Sequence, residues 1–347
     1  MVTHLRLLLQ GLEAHAVNVE VVAPESFDPE AIASSMPMHA APIQARPHPL
    51  HDFIAARKVA MAARSGHYDL IHGHGLRGAW ITALASRMCK TPFVFTAHNL
   101  APSTSNPLTK FLLKFVVRHA AKVICISKAV ADSLKPYGLN EQRIALIPNG
   151  IDLIPFDIPR QPISPTFDEP QIVAVGRLSP EKGFDTLIRA AKKVLERFPK
   201  ARVTIAGDGP DRESLNQLIT SLGVGDNVRL AGRVEDIPSF LHTADVVAIP
   251  SLSEGQGIVA LEAMAAGKPI VASRVGGLIE TVEDGVTGQL VDSGNPEKLA
   301  DGIIRLLSSP ERMLAFGEAG RAKVEANYTV DKMVKRTLDV YRAVTTR

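Results

Sequence analysis

Two carboxylates, eight residues apart, flank a glycine-rich turn in the second half of the chain. Glu254 lies within residues 251–257, and Glu262 follows in an apolar helical pattern. Gly255 and Gly257 let a ligand approach the backbone closely, and free N–H groups at a helix start attract anions. The pattern therefore predicts a site for a phosphorylated ligand, with Glu262 accepting hydrogen bonds from a sugar diol. A helix-terminal charge at Glu254 and a solvated helix face at Glu262 are the structural alternatives.

A second candidate segment, residues 176–183, has the sequence GRLSPEKG and follows an apolar strand pattern. Arg177 and Lys182 would place two cations beside glycine backbone, and arginine binds a diphosphate bidentately. The alternative is a solvated loop with charges of both signs. Two further glycine turns, at 206–210 and 232–234, end neighbouring strands and could shape a pocket for a nucleotide base. A plain turn between elements is the alternative for each.

Three histidines end strand patterns in the first half of the chain: His72, His74 and His98. The His-x-His spacing invites a metal interpretation, but no aspartate or cysteine cluster supports it. The sequence also has no Asp-x-Asp, so we expect no metal and no metal-bridged nucleotide sugar. His98 is expected to contact substrate, and hydrogen bonding within its own loop is the alternative for each histidine.

The elements around these residues alternate between strand and helix patterns in both halves. Such alternation predicts an α/β fold with parallel sheets covered on both faces. Two doubly wound domains would hold a ligand in the cleft between them, at the carboxyl ends of the strands. The predicted parts are an N-terminal domain, a proline-rich linker, a C-terminal domain and a last helix returning to the N-terminal domain, at 1–152, 153–169, 170–327 and 328–347.

The start of the chain departs from the usual order of a doubly wound domain. Its leucines predict a helix over residues 2–14, ahead of a strand at 17–22. The first strand of such a domain is usually central. We therefore expect a gap in the first sheet, with the strand either upstream of Met1 or missing.

Composition and charge narrow the class of protein. The 347 residues are 46% hydrophobic and 22% charged, as in an ordinary soluble globular protein. No apolar run approaches the roughly 18 residues of a membrane span. Two cysteines, Cys89 and Cys125, are too few for a disulfide framework, which favours a reducing, cytoplasmic setting.

The first 150 residues are basic, with 15 Lys and Arg against 9 Asp and Glu. The helical pattern at 108–121 and the residue after it carry cations four residues apart, namely Lys110, Lys114, Arg118 and Lys122. Such a helix could contact an anionic membrane peripherally, at its inner face. A solvated helix face over an apolar core is the alternative. Nucleic acid is not expected as a partner, because no aromatic platform accompanies the charge.

Together these segments resemble the family 4 glycosyltransferases, which are retaining enzymes of GT-B fold. The two glutamates downstream of the Arg-Lys pair form the most specific part of the resemblance. The other matching segments are 148–152 (PNGID), 206–210 (AGDGP), 254–257 (EGQG), 261–263 (LEA) and Gly276-Gly277. Family members usually begin with a strand and a Gly-Gly turn, and Gln256 stands where they commonly carry an aromatic residue.

The resemblance implies a role for each matching position. Arg177 and Lys182 would bind the donor diphosphate and stabilise the leaving group, in place of a metal. Glu254 would hold the donor sugar, and His98 would reach it from the N-terminal domain. The remaining donor contacts implied by the resemblance are Gly176, Gly207, Arg233, Val234, Gly255, Gln256, Gly257, Ile258 and Glu262.

The activity implied is transfer of a sugar from a nucleoside-diphosphate sugar to a hydroxyl, with retention and without a metal or other cofactor. The expected acceptor is a lipid-linked or cell-envelope glycan, which the basic N-terminal half suggests. Two alternatives stay open at this point. One is a catalytically impaired protein that binds a nucleotide sugar, and the other is a GT-B sugar-nucleotide epimerase.

Overall fold

The computed structural model describes residues 2–28, 32, 36–44, 46–102, 106–157 and 169–346. The chain folds into two compact units. The first comprises Met1–Gly150 with Val330–Arg347, and the second comprises Ile151–Thr329. Most of the linker predicted at 153–169 lies outside the described residues.

The first unit contains six short strands and six α-helices among its described residues. The strands are β1 Val21–Pro24, β2 Met38–Ala41, β3 Ile71–His74, β4 Phe93–Ala97, β5 Lys122–Cys125 and β6 Ile144–Leu146. The helices are α1 Val2–Ala14, α2 Pro49–Ser65, α3 Gly75–Cys89, α4 Pro107–His119, α5 Lys128–Leu134 and, from the end of the chain, α13 Val330–Thr345.

The strands of the first unit form two parallel sheets, ordered β1-β2 and β3-β4-β5-β6. Strand β4 is buried along its whole length, as expected for a parallel strand between two layers. Helix α1 packs against α13 through a cluster that includes Leu8, Leu12, Val334 and Leu338. The chain start and the chain end therefore share one small core.

The second unit is built around a single six-stranded sheet. Its strands are β7 Gln171–Val175, β8 Arg202–Ala206, β9 Val228–Gly232, β10 Val246–Ile249, β11 Ile270–Ser273 and β12 Gln289–Val291. Its helices are α6 Phe184–Arg197, α7 Arg212–Ser221, α8 Ile237–His242, α9 Ile258–Ala265, α10 Leu278–Thr281, α11 Pro296–Leu307 and α12 Pro310–Asn327. All pairs are parallel, in the order β12-β11-β10-β7-β8-β9.

Alternate residues of β7 enter cores on opposite faces of this sheet. Ile172 and Ala174 pack with Leu187 of α6 on one face, while Val173 packs with Met264 of α9 on the other. A period of two with both faces buried is the pattern of a doubly wound sheet. The predicted α/β class of two Rossmann-like units is confirmed.

Two predictions about the first unit differ from the structure. The strand expected at 17–22 runs over Val21–Pro24, and β2 lies within the proline-rich stretch, where no strand was expected. Both strands are four residues long and pair with each other. Each strand is defined by pairing with a segment that is distant in the sequence, so hydrophobic periodicity within one segment does not locate it. Within the described ranges, no helix is long and apolar enough to cross a membrane.

Candidate active site

The second unit has one point where the order of its strands reverses. Strand β7 pairs with β8 on one side and with β10 on the other. Ligands of open α/β sheets bind at such a point, outside the carboxyl ends of the strands. The loop at 176–183 follows β7, and the loop at 250–257 follows β10. We call these the β7 loop and the β10 loop.

Lys182 and Glu254 join the two loops directly. The Lys182 Nζ donates to Glu254 Oε2 at 2.6 Å, and the two side chains are 25% and 15% exposed. The hydroxyl of the buried Ser251 lies 3.4 Å from the same carboxylate oxygen. Because both side chains are partly accessible, a bound diphosphate could accept hydrogen bonds from the Lys182 ammonium group in place of Glu254. Two residues that the sequence placed in one site are thus in contact across 72 positions of chain.

A buried leucine anchors the β7 loop. The Leu178 side chain is fully buried, and its N–H and C=O bond to the Asp208 carbonyl and the Asp211 amide at 3.0 Å each. Glu181 accepts two backbone bonds from the β10 loop, from Leu252 at 2.8 Å and Ser253 at 3.3 Å. The β7 loop therefore has a fixed path, on which Arg177 is exposed. A cation held on a fixed loop is suited to binding a diphosphate.

Glycines let backbone pack on backbone between these loops. A Cβ on Gly207 would lie 1.8 Å from the Gly176 carbonyl oxygen, and one on Gly276 would lie 2.0 Å from the Glu254 carbonyl oxygen. The Gly277 amide donates to that same Glu254 oxygen at 3.0 Å. Gly276 also has a φ of +48°, which side chains rarely adopt. The position of the Glu254 backbone is thus set by contacts that only glycine permits.

Helix α9 begins immediately after the β10 loop, with Gly257 at its N-cap. Gly257 has a φ of +89°, and no side chain caps the helix in the described part of the chain. The amides of the first turn, beginning at Ile258, have no partner further up the helix, as at any helix start. A phosphate placed there would meet those amides and the positive end of the helix dipole. Gly255 and Gln256 are both buried just before this turn.

Glu262 lies one turn further along α9 and is the only charged residue of that helix. Its side chain is half-buried, and burial raises the pKa of the carboxyl to about 7. A carboxyl in this environment gains from hydrogen-bond donors that arrive with a ligand, because water no longer solvates it fully. This favours the diol-binding interpretation over that of a solvated helix face.

The remaining predicted contacts of the second unit follow β9. Arg233 is exposed and Val234 is half-buried. The Gly232 carbonyl accepts a 2.7 Å bond from the Gly207 amide, so the turns after β8 and β9 are joined. A cavity of about 570 Å³ lies beside the β7 loop, and its walls include Ser179, Phe184 and Leu252. Its described lining contains none of the predicted donor contacts, so we do not assign the donor to it.

His98 lies in the first unit, directly after β4. Its ring Nε2 lies 3.1 Å from His74 Nδ1, at the end of the neighbouring strand β3. The buried ring of His4, from the first turn of α1, packs edge-on against His98 with ring centroids 4.7 Å apart. Burial lowers the pKa of all three imidazoles below the ordinary value of 6.5, and neighbouring histidines lower the pKa of His74 and His98 further. They are therefore neutral at neutral pH.

Two of these features were not identified from the sequence. His4 carries no local motif, and only the folded first unit brings its ring against those of His74 and His98. Gly276 was noticed as part of a Gly-Gly pair, but its role in holding the Glu254 backbone depends on a contact 22 positions away. A glycine pair following a short strand is the signal that marks such a close approach.

The sequence matches two family descriptions that together cover most of the chain. Residues 157–323 match "Glycosyl transferases group 1", and residues 1–154 match "Glycosyltransferase Family 4". An uncharacterised glycosyltransferase of Methanocaldococcus jannaschii is 32% identical over 294 residues, which is 79% of this chain and 75% of that protein. The D-inositol 3-phosphate glycosyltransferase of Salinispora tropica is 34% identical over 331 residues, which is 85% of this chain and 68% of that protein.

Solved structures show the same fold at lower identity. HepE of Anabaena, crystallised with UDP, superposes with a TM-score of 0.83 and 24% identity over 98% of this chain and 96% of that one. Sucrose-phosphate synthase of Thermosynechococcus elongatus superposes with a TM-score of 0.84 and 24% identity over 99% and 93%.

Proposed function

Because the chain belongs to the family 4 glycosyltransferases, we propose that it transfers a sugar from a nucleoside-diphosphate sugar to a hydroxyl acceptor, with retention and without a metal on the donor. That it is a glycosyltransferase of the hexosyltransferase type follows from the family itself. The donor class, the stereochemistry and the acceptor are parts of the proposal.

The observation that carries the proposal is the Lys182–Glu254 contact at the reversal point of the sheet. It brings a cation from the β7 loop next to the residue that precedes the open amides of α9. A diphosphate lying between them would meet Lys182, Arg177 and the α9 amides, and would release Glu254 to accept hydrogen bonds from the donor sugar. Glu262, deeper along the same helix, would accept the ribose hydroxyls.

The chemistry proposed for these groups is electrostatic. As the bond between the sugar and the diphosphate breaks, negative charge grows on the departing oxygen, and fixed cations and amides stabilise it. These are the donors that a divalent metal would otherwise supply. Arg233 and Val234 would border the base, with Gly176 and Gly207 shaping the turns beside it. A direct contact between His98 and the donor sugar stays a prediction.

A panel of nucleoside-diphosphate sugars tests this function. We expect the purified protein to release the nucleoside diphosphate from one donor, faster with acceptor present, and to retain that activity in excess chelator. Arg177→Ala should lose most of the activity, whereas Arg312→Ala, an exposed arginine on α12, should keep it. Retention is checked by the anomeric configuration of the product. Binding of a nucleotide sugar without any transfer would contradict the proposal and favour the impaired-protein alternative.

For the acceptor we propose a lipid-linked or cell-envelope glycan, presented at an anionic membrane surface that helix α4 contacts. Lys110 and Lys114 are exposed on this helix, and so are the apolar side chains of Leu108 and Phe111, at 53% and 57%. The alternative of a solvated helix face over an apolar core would require Phe111 to be buried, and it is not. Exposed apolar side chains among cations are typical of a helix lying in a membrane interface.

Sedimentation with lipid vesicles tests the membrane contact. The protein should bind vesicles containing phosphatidylglycerol and not those of phosphatidylcholine alone, because each cation near an anionic surface contributes about 1 kcal/mol. Reversing Lys110 and Lys114 to glutamate should abolish binding. The same reversal at Lys192 and Lys200, two exposed lysines of the second unit, is the matched control. Equal loss from both double variants would argue for non-specific attraction.

A further inference from the structure

We propose that Thr281 is a positioning residue of the donor site. Its buried hydroxyl holds the peptide group between Gln256 and Gly257, so that the Gly257 amide is presented to the diphosphate of the donor. This role rests on the proposed donor site. It adds to that site a side chain of α10, a helix that carries none of the groups assigned there so far.

Thr281 is the last residue of α10 and is 1% exposed. Its hydroxyl lies 2.9 Å from the Gln256 carbonyl oxygen and 3.0 Å from the Gly277 carbonyl oxygen. A hydroxyl donates only one hydrogen. The Gly277 carbonyl already accepts the amides of Glu280 at 3.2 Å and of Thr281 at 3.0 Å. The hydroxyl hydrogen is therefore best used by Gln256, which lies 25 positions away in the chain.

The bond to Gln256 also sets the direction of the next amide. The Gln256 carbonyl and the Gly257 N–H belong to one planar trans peptide group, so they point in opposite directions. Holding the carbonyl towards α10 directs the amide away from α10. Leu278, three residues before Thr281, contacts the same segment, because a Cβ on Gly257 would lie 2.5 Å from its Cδ2. Helix α10 therefore holds this peptide through a hydroxyl and an apolar side chain.

The Gly257 amide is a group that a ligand would satisfy. Gly257 is buried, yet no residue in the described ranges accepts a hydrogen bond from its amide, and the same holds for Ile258. A buried N–H without a partner costs about as much free energy as a lost hydrogen bond. Two successive amides at the start of α9 suit the oxygens of a phosphate.

A purely structural role for the hydroxyl is the alternative. Threonine in a helical turn often donates to the carbonyl four residues earlier, which for Thr281 is that of Gly277. Thr337 on α13 shows this arrangement by itself. It is 2% exposed, and its hydroxyl donates to the Met333 carbonyl at 2.8 Å. Thr281 differs from it by the additional bond to a distant loop, so Thr337→Val is the matched control.

Nuclear magnetic resonance tests the direction of the amide. The sequence has two Gln-Gly pairs, Gln10-Gly11 and Gln256-Gly257, so the full chain labelled with ¹³C-carbonyl glutamine and ¹⁵N-glycine gives two carbonyl-correlated amide signals. UDP, GDP and ADP are added in turn. We expect one of them to move the Gly257 proton downfield, as donation to a phosphate does, and to leave Gly11 unmoved. In Thr281→Val the Gly257 signal should already be displaced without nucleotide, and it should move much less on addition.

Calorimetry measures the consequence for binding. Thr281→Val should weaken binding of that diphosphate roughly tenfold, the lower end of what a hydrogen bond to a charged group contributes. The matching nucleoside has no phosphate, so its binding, measured by displacement, should stay within roughly threefold of wild type. Thr281→Ser keeps the hydroxyl and should restore diphosphate binding. Circular dichroism checks the fold, and Thr281→Ala replaces the valine variant if that one does not fold.

Each other outcome contradicts the role of Thr281. It is overturned if the folded variant without the hydroxyl binds diphosphate like wild type, or if diphosphate and nucleoside binding weaken equally. It is also overturned if Thr281→Ser fails to restore binding, or if Thr337→Val loses as much. If wild type binds none of the three diphosphates, the proposed donor site fails, and this role fails with it. Loss of Thr281 alone is thus distinguishable from loss of the proposed function.

Discussion

Lys182 gives the most direct test of the proposed donor site. Its ammonium group bonds to Glu254 at 2.6 Å across the two loops at the reversal point. Substitution by alanine removes a cation proposed to stabilise the departing diphosphate. Losing one such donor costs about 2–4 kcal/mol of transition-state stabilisation, so kcat/KM should fall by roughly 30- to 1,000-fold.

The cost to folding should be much smaller. The pair is neither fully exposed nor fully buried, with side chains 25% and 15% accessible. Exposed pairs contribute up to about 1 kcal/mol, and removing one partner of a buried pair costs about 3–5 kcal/mol. We therefore expect a loss of about 1–2 kcal/mol in stability, which leaves the variant folded. The large effect should be confined to transfer and donor binding.

Lys193→Ala is the matched control. Lys193 also forms ion pairs within the second unit, with Glu297 and Asp301 at 2.8 Å each, but it lies on helix α6 away from the two loops. Steady-state transfer rates and calorimetric donor binding are measured for both variants. The control should stay within roughly threefold of wild type, as surface substitutions do. If folded Lys182→Ala also stayed within that range, the diphosphate assignment would be wrong.

Three further perturbations follow from the structure. Gly276→Ala should abolish donor binding in calorimetry, because its Cβ would collide with the β10 loop. Gly285 also has a positive φ but open space around it, so Gly285→Ala should cost only about 1 kcal/mol of stability and keep donor binding. Equal loss of binding in both variants would refute the argument from collision. The Glu262 carboxyl has a pKa of about 7 in the folded chain against 4.5 ordinarily, so the native state holds the extra proton and stability should fall as pH rises between those values, by up to about 3 kcal/mol. Glu262→Gln should flatten this slope in thermal midpoints recorded across that range, and an unchanged slope would exclude Glu262 as its source. Asp52 is 3% exposed and bonds to an arginine and a tryptophan, so Asp52→Ala should destabilise the first unit by about 3–5 kcal/mol in urea unfolding; Asp339→Ala, from an exposed pair, should cost less than about 1 kcal/mol, and similar losses would contradict the argument from burial.

The parts that the sequence predicted correctly are those with strong local patterns. Continuous apolar strands followed by helices identified the α/β class, and the bounds of α1 over Val2–Ala14 match the expected helix. The β10 loop and the helix after it were located because glycine, proline and apolar spacing coincide there. These signals act over fewer than about twenty residues.

The parts that it did not predict depend on contacts between distant residues. Nothing local indicates that β2 pairs with β1, or that His4 lies against His98. From the sequence, His72, His74 and His98 were interpreted separately and without His4. Only the folded structure shows the ring of His4 against those of His74 and His98.

The loops around the proposed donor site are joined mainly by backbone groups, through Glu181, Glu254, Gly207 and Gly277. Apart from the Lys182–Glu254 ion pair, side chains at these positions do not join the loops, and substitution at a neighbour such as Gln256 need not shift the groups proposed to bind phosphate. For protein engineering, the choice of donor sugar could therefore be changed through side chains, while the groups proposed to stabilise the leaving diphosphate stay in place. A library restricted to side chains beside the sugar position, with the glycines kept, would explore new donors at little risk to the leaving-group contacts.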